Sequence, residues 1–533
     1  MMLRFARKIL GPGLLLTTAL SLTGPLWAGE EGARSLDPLP KEEFSLADAR
    51  HLLFRAGFGG TPEEVQRLHR LGLEGMVSWL VDYESKPDIV GPLEIQPLPR
   101  LDYRAFRKLD ERERRKIRNQ RRRQDAQRVY RLLSWWGDRM LRTRRPLEEK
   151  MTLFWHGHFT SSQRDVRNGF RMYLQNQTLR QNATGNFRDL LHAISKDPAM
   201  LEYLDNNRNR RGHPNENFAR EVMELFTLGI GNYTEKDIKE AARAFTGWNF
   251  DRSTSAFVFQ TRQHDYGVKT FLGRRGNFDG DDILEILLEQ KACAPYIAKK
   301  IFSFFAYEDP DPALVENLGE FLRACNYEIK PLLRRIFLSR AFYSKKAMGT
   351  QVKSPVLFVV STIKMLGMNP PPGGLVAAMA NQLGQRLMDP PNVKGWERGL
   401  SWITTANLLA RNNVVGQLLK LEYGKMPRPT RAQLRGGRGQ LRRDLASWDP
   451  GWSAKAIAES TGAREIPELV DAVASRFLLV PLSPPSRERL IRLLREKNGG
   501  NVLDWKKLKG PSVERAFREF FHLLMSVPEF QVC

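Results

Sequence analysis

From Glu148 to Phe250 the chain carries an apolar helical pattern that charged, amide and imidazole side chains interrupt again and again. The stretch opens EEKMTLFWHGHFTSS and later reads DPAMLEYLDNNRNRRGHPNENFAREVMELFTLGIGNYTEKDIKEAARAFTGW, and four of the eight histidines fall within it. A polar group placed inside an apolar helix needs a partner once it is buried. Whatever fold this chain adopts must therefore bring these groups to one another or to a common ligand.

The helix opened by Pro146 sets Glu149 and His156 two turns apart on one face, with Leu147, Met151 and Phe154 left for a core. Gly157 is a natural stop, and His158 emerges just past it. Imidazoles at a helix end can bind a metal, or hold a proton against the C-terminal dipole. After Leu204 comes a loop containing Asp205, Asn206, Asn207, Asn209, His213, Asn215 and Glu216. Its oxygens suit a hard cation or sugar hydroxyls, and an Asx-rich turn looks the same. The next helix places Asn217, Glu221 and Glu224 on one stripe and Phe218, Val222, Leu225 and Phe226 on another. Arg220 lies between the stripes, within reach of Glu216 or Glu224. Thr234 and Asp237 form the capping box of a further helix that Gly247 ends. Beyond it, FDRSTSAFVFQTRQHDYGVKTFLG alternates like a hairpin, with His264 and Asp265 in its turn.

The remaining chain is also helical in pattern, so the expected fold is mainly α: a multi-helix orthogonal assembly with one small β-hairpin region. Residues 1–28 have a basic start, an apolar middle and Ala28 before the charge returns, which is Sec-type signal-peptide grammar and predicts a periplasmic or extracellular protein. Gly11, Pro12, Gly13 and Pro25 keep its continuous apolar run short of the ~20 residues a span needs. Residues 29–423 read as the main helical domain, 424–443 as a basic, Gly- and Pro-rich linker, and 444–533 as a small helical unit. Cys293 with Cys325 is the one pair spaced for a disulfide, and three scattered thiols do not make a disulfide scaffold.

The 533 residues carry a formal net charge of +24, and removing residues 1–28 takes away Arg4, Arg7 and Lys8 to leave +21. Such a balance favours an anionic polymer or a membrane surface. From Tyr103 to Arg145 a long helix is so basic that it suggests an anion-facing side; the plainer reading is a solvated helix laced with pairs such as Asp110–Arg114 and Glu111–Arg115. No base-reading motif accompanies it, which argues against nucleic acid.

HLLFRAGFGGTPEEV, EKMTLFWHGHF, DPAMLEYLDN, PNENFAREVMELFTLGIGNYTEKDIKEAARAFTGW, the helix beginning SPV and PPNVKGW occur in this order between about His51 and Asn413, with an echo at Pro528-Glu529-Phe530-Gln531. Together they resemble the large bacterial family catalogued as domain of unknown function 1800. The resemblance implies an exported helical protein, often encoded beside the family of domain of unknown function 1501, whose members are then expected partners. It brings no agreed activity.

Three functional readings follow. A metal-assisted or acid–base hydrolase of an envelope or extracellular polymer would use His156, His158 and His264 to hold a divalent metal. Asp205, Glu216 and Glu221 would serve as catalytic carboxylates, and Glu149, Asn206, Asn215, Asn217, Arg220, Glu224, Asp265 and Trp396 would complete the cleft. H-E-x-x-H, G-x-S-x-G and paired Glu-x-x-His motifs are missing. A carbohydrate- or anionic-polymer-binding protein would use Trp155, Trp248 and Trp396 as stacking faces. A non-catalytic scaffold or assembly and export partner would use the same polar set only to staple helices.

Overall fold

The computed structural model describes residues 30–419, 439, 441, 445 and 447–533. The expected leader, 1–28, and nearly all of the expected linker, 424–443, lie outside the described residues. Among those described the fold is mainly α, with twenty-four α-helices. The helices that frame the site are α1 (Leu46–Ala56), α2 (Tyr103–Lys108), α3 (Glu111–Arg142), α4 (Pro146–His158), α5 (Gly169–Gln181), α6 (Asn217–Glu221), α7 (Pro355–Met365), α8 (Thr405–Leu418) and α9 (Pro511–Ser526).

Local chemistry sets the boundaries. A Ser45–Asp48 capping box starts α1, and Pro146 occupies the first turn of α4. The basic segment expected as one helix is two, because the Asp110 carboxylate accepts from the Glu113 amide at 2.7 Å and begins α3 anew after α2. The Thr234–Asp237 capping box forms as expected. The helix after the polar loop does not stay α-helical. α6 passes into a π-helical turn, Val222–Thr227, where the Leu228 amide donates to the Met223 carbonyl at 2.9 Å and the Thr227 hydroxyl to the Val222 carbonyl at 2.6 Å. The α-helical spacing behind the expected Asn217–Glu221–Glu224 stripe therefore fails beyond Glu221.

The expected β-hairpin region holds two short antiparallel ribbons. β1 (Trp248–Phe250) pairs with β2 (Phe257–Phe259), and β3 (Lys269–Phe271) with β4 (Arg274–Gly276). His264 and Asp265 lie in the link between the ribbons rather than in a hairpin turn. Cys293, Cys325 and Cys533 are all free thiols, so the one disulfide spacing in the sequence is not used.

Two apolar cores hold the helices. The first takes Leu52 and Leu53 of α1, Met151, Phe154 and Trp155 of α4, and Phe218 and Phe226. The second takes Phe54 of α1, Trp136 of α3, Leu153 of α4, Val356–Val360 of α7 and Phe520, Phe521 and Leu524 of α9. Thus α1 and α4 serve both. The C-terminal helices share the second core with α7, so the boundary expected at residue 444 is not a boundary of packing.

A buried ionic node joins α3, α4 and α5. The fully buried Glu149 carboxylate accepts from Trp136 Nε1 at 3.0 Å, Arg139 Nε at 2.5 Å, and Arg180 Nε and Nη2 at 2.8 and 2.9 Å. Arg139 reaches on to Asp88 at 2.8 Å and Glu148 at 3.1 Å. Burial alone would raise the Glu149 carboxyl, but the Arg180 and Arg139 guanidiniums outweigh it and hold it below the usual carboxylate range. Replacing Glu149 with Ala removes the Arg180 ion pair and the most buried of the three that Arg139 makes, and urea unfolding should register a loss of about 3–5 kcal/mol. A loss under about 1 kcal/mol, the size of a surface pair, would remove the node from this role.

Candidate functional site

Most side chains expected to line a catalytic cleft are instead staples. His156 is buried against the Trp136 ring at 4.8 Å between centroids, with Nε2 3.0 Å from the Asn176 amide nitrogen. Burial and the nearby Arg180 charge push it down to about 3, so it is neutral at ordinary pH. His158 is buried too, with Nε2 3.1 Å from the Phe226 carbonyl, and burial with the Lys300 charge brings it to about 3. His264 places Nδ1 2.9 Å from the Thr246 carbonyl and packs edge-on against Phe259 and Tyr266. The expected metal set of three imidazoles is therefore not assembled, since each ring is held by different neighbours. Among the described residues no group of three or more His, Cys, Asp or Glu side chains is placed to hold a metal ion.

The polar loop closes on itself and on its surroundings. Asn206 donates to the Trp248 and Phe245 carbonyls at 3.3 and 3.4 Å and accepts from Asn209 at 3.0 Å. Asn215 gives its amide hydrogen to the Asn209 side chain at 2.9 Å, and the Asn217 side chain reaches the Leu204 carbonyl at 3.3 Å. Arg220 pairs with Glu235 at 2.8 Å and Glu216 at 3.5 Å, where Glu216 or Glu224 was expected. Asp205 takes a left-handed backbone, φ 55°, and pairs with Arg208 at 3.2 Å. Asp265 is held by Arg243 at 2.9 Å. Glu149 belongs to the ionic node. Two expected carboxylates stay together: Glu224 accepts from the Tyr233 hydroxyl at 3.1 Å, and burial with the adjacent Glu224 charge raises the Glu221 carboxyl.

The stretches that carry the family resemblance converge elsewhere, on a cavity of about 90 Å³ beside the C-terminal half of α4. Arg55 comes from HLLFRAGFGG, and Lys150, Phe154 and Gly157 come from EKMTLFWHGH. The SPV helix supplies Ser354 and Leu357, PPNVKGW supplies Trp396, and Cys533 follows PEFQ. The Trp396 turn can sit this close only because of Gly395. Its φ is +96°, and a Cβ there would stand 2.2 Å from the Gly157 carbonyl oxygen.

The buried charged side chains that line the cavity are cationic, and the exposed Glu308, Glu397 and Arg398 line it too. Arg55 is 2% exposed and Lys150 5%. Lys353 and Arg411, 1% and 2% exposed, are close enough that the negative charge at Cys533 acts on all four. Among the described residues their hydrogen bonds go to carbonyls and one amide: Lys150 to Phe54 at 3.4 Å, Lys353 to Phe530 at 2.7 Å, and Arg411 to Lys353 at 2.7 Å and Gln531 at 3.2 Å. Arg55 gives one nitrogen to the Ala347 carbonyl, while its Nε and Nη1 are buried without a partner; so is Arg411 Nε. Burial, opposed by the Cys533 charge, brings both Lys150 and Lys353 down to about 7. Sequence reasoning missed all four cations. The available signal was a single basic residue inside an apolar helical run, as in HLLFRAGF and NLLARNN.

A family model described as a protein of unknown function (DUF1800) matches residues 51–532. The chain belongs to the DUF1800 family. No curated protein and no solved structure matches it. Of the residues around this DUF1800 cavity named above, only Cys533 falls outside the match.

The two lysines make a pH prediction. Each goes from an ordinary 10.5 to about 7 on folding, so the unfolded chain binds more protons across that interval. Stability of the ligand-free protein should rise as pH climbs from about 7 toward 10.5, because the charged form that folding penalises is progressively lost. Urea unfolding across this range should give a clearly shallower rise for Lys150→Met, and an identical slope would refute the assignment.

Proposed function

We propose that this protein binds a ligand bearing a carboxylate or phosphate group, and that the Arg55–Lys150 cavity receives that group. The observation that carries the reading is the Arg55 guanidinium, almost wholly buried, with two of its three nitrogens unpartnered among the described residues. A buried charge without a partner is strongly unfavourable, and an oxyanion matches the guanidinium fork in both charge and shape. Lys150 lines the same cavity, and Trp396 and Trp402 give it apolar sides suited to the uncharged part of a ligand. Trp155 and Trp248, expected as stacking faces, are 0% and 3% exposed and pack in the first core, so Trp396 alone of the three keeps that role.

Binding should take up protons, since an oxyanion in the cavity favours the charged lysines. Calorimetry of the purified protein with inorganic phosphate and with acetate should find saturable binding near pH 6 that weakens about tenfold by pH 8.5. Arg55→Met should abolish it and Arg55→Lys should restore part of it. Absence of saturable binding of either anion near pH 6 would overturn the proposal.

An acid–base hydrolase is the second reading, supported by Glu221. Its carboxyl is raised by burial and by Glu224, as a general acid requires. This reading uses neither a metal nor the three buried imidazoles.

A further inference from the structure

We infer that the outward face of α3 docks a linear acidic polysaccharide. The inference stands apart from the cavity and rests on how the charges of this helix are shared out. The C-terminal half of α3 is anchored, with Leu132, Trp135, Trp136, Met140 and Leu141 buried. Along one side of the rest, three arginines clamp the preceding extended arm: Arg121 donates to the Pro99 carbonyl at 2.8 Å, Arg128 to Gln96 at 2.9 Å and Arg131 to Glu94 at 2.7 Å. These cations are structural, since each is held to a backbone carbonyl of the arm.

The acids near this helix are largely committed too. Asp110 caps it, Glu111 takes both Arg114 and Arg118, and Asp125 accepts from the Gly169 amide at 2.8 Å. The expected pairs Asp110–Arg114 and Glu111–Arg115 do not form. Left over are Arg112, Arg115, Lys116, Arg122 and Arg123, all exposed and none in an ion pair with a described residue. Their spacings of three, four and seven put them on one side of the helix, over roughly 16 Å at 1.5 Å per residue. Residues 100–128 hold thirteen basic and five acidic side chains, a net +8, so the stripe lies in a field of one sign.

The composition of the stripe selects the partner. A helix that lies in a bilayer surface needs an apolar face, and this one reads Arg, Arg, Lys, Asn, Arg, Arg at positions 112, 115, 116, 119, 122 and 123. Single-stranded nucleic acid needs aromatic platforms, and the stripe has none. A straight row of five cations and one amide fits a chain of spaced carboxylates or sulfates that requires neither insertion nor stacking.

The test measures binding of labelled polygalacturonate and dextran sulfate to the full chain by anisotropy at near-physiological salt. Replacing Arg112, Arg115, Lys116, Arg122 and Arg123 with Gln should weaken binding at least about tenfold while the thermal melt is unchanged. The smaller variant Arg115→Glu with Arg122→Glu should do the same, and guards against misfolding of the larger one. Replacing Lys236, Lys239, Lys299 and Lys506 with Gln removes similar charge from other surfaces and should change binding less than about twofold. Equal losses in the stripe and control variants would overturn the proposal. So would tighter binding to duplex DNA or to phosphatidylglycerol vesicles than to either polysaccharide.

Discussion

One buried carboxylate orients the centre of this molecule. Glu149 has no access to water, and its charge persists only because Arg139 and Arg180 arrive from two other helices with the Trp136 indole. A carboxylate has no comparable alternative in an apolar interior, so α4 has one rotation about its axis in which this requirement is met. Successive residues of an α-helix point about 100° apart. With Glu149 committed to α3 and α5, the adjacent Lys150 is turned toward α1, where its ammonium meets the Phe54 carbonyl at 3.4 Å. The node and the cavity are thus two consequences of one helix orientation.

The two charge clusters are built on opposite terms. Around Glu149 every lone pair that counts is filled, and removing either guanidinium would uncover charge. Around Arg55 the reverse holds: among the described residues two nitrogens of Arg55 and one of Arg411 are buried without a partner, and the carboxylates that line the cavity, Glu308 and Glu397, are exposed. Burial drives Lys150 and Lys353 toward neutrality near pH 7, which relieves part of the excess without any ligand. An arrangement that discards protons when empty and regains them when an anion enters has its binding and its protonation coupled from the start.

What could be read beforehand depended on whether the signal was local. The helical class, the Thr234–Asp237 capping box and the proline at the start of α4 are properties of a few adjacent residues, and they stand. The split between α2 and α3 was also local, but Asp110 read equally well as an ion-pair partner of Arg114. The histidines were legible as polar groups in apolar surroundings. Whether an imidazole meets a metal or the Phe226 carbonyl depends on a segment dozens of residues away, and periodicity does not report it. Arg55 and Lys150 were hidden for a related reason: a long basic side chain on a helix reads as solvent-facing, because its stem and its charge can part company. The π-helical turn at Val222 carries no composition signal at all. The basic run at 424–443 read as a linker, and apolar residues before and after it belong to one core.

A net charge of +24 overstates what is available to a partner. Many of the arginines donate to backbone carbonyls, as Arg121, Arg128, Arg131 and Arg145 do along the extended arm, and others close ion pairs. Part of what is left uncompensated lies at a cavity sized for a single oxyanion and on a helix face long enough for several. These differ in their response to solvent. Mobile ions screen the exposed row at a Debye length of about 8 Å in physiological salt, and penetrate the buried set far less. Raising ionic strength should therefore strip a polymer from α3 while leaving a small anion in the cavity, so salt separates the two attractions within one protein where mutation alone would have to disentangle them.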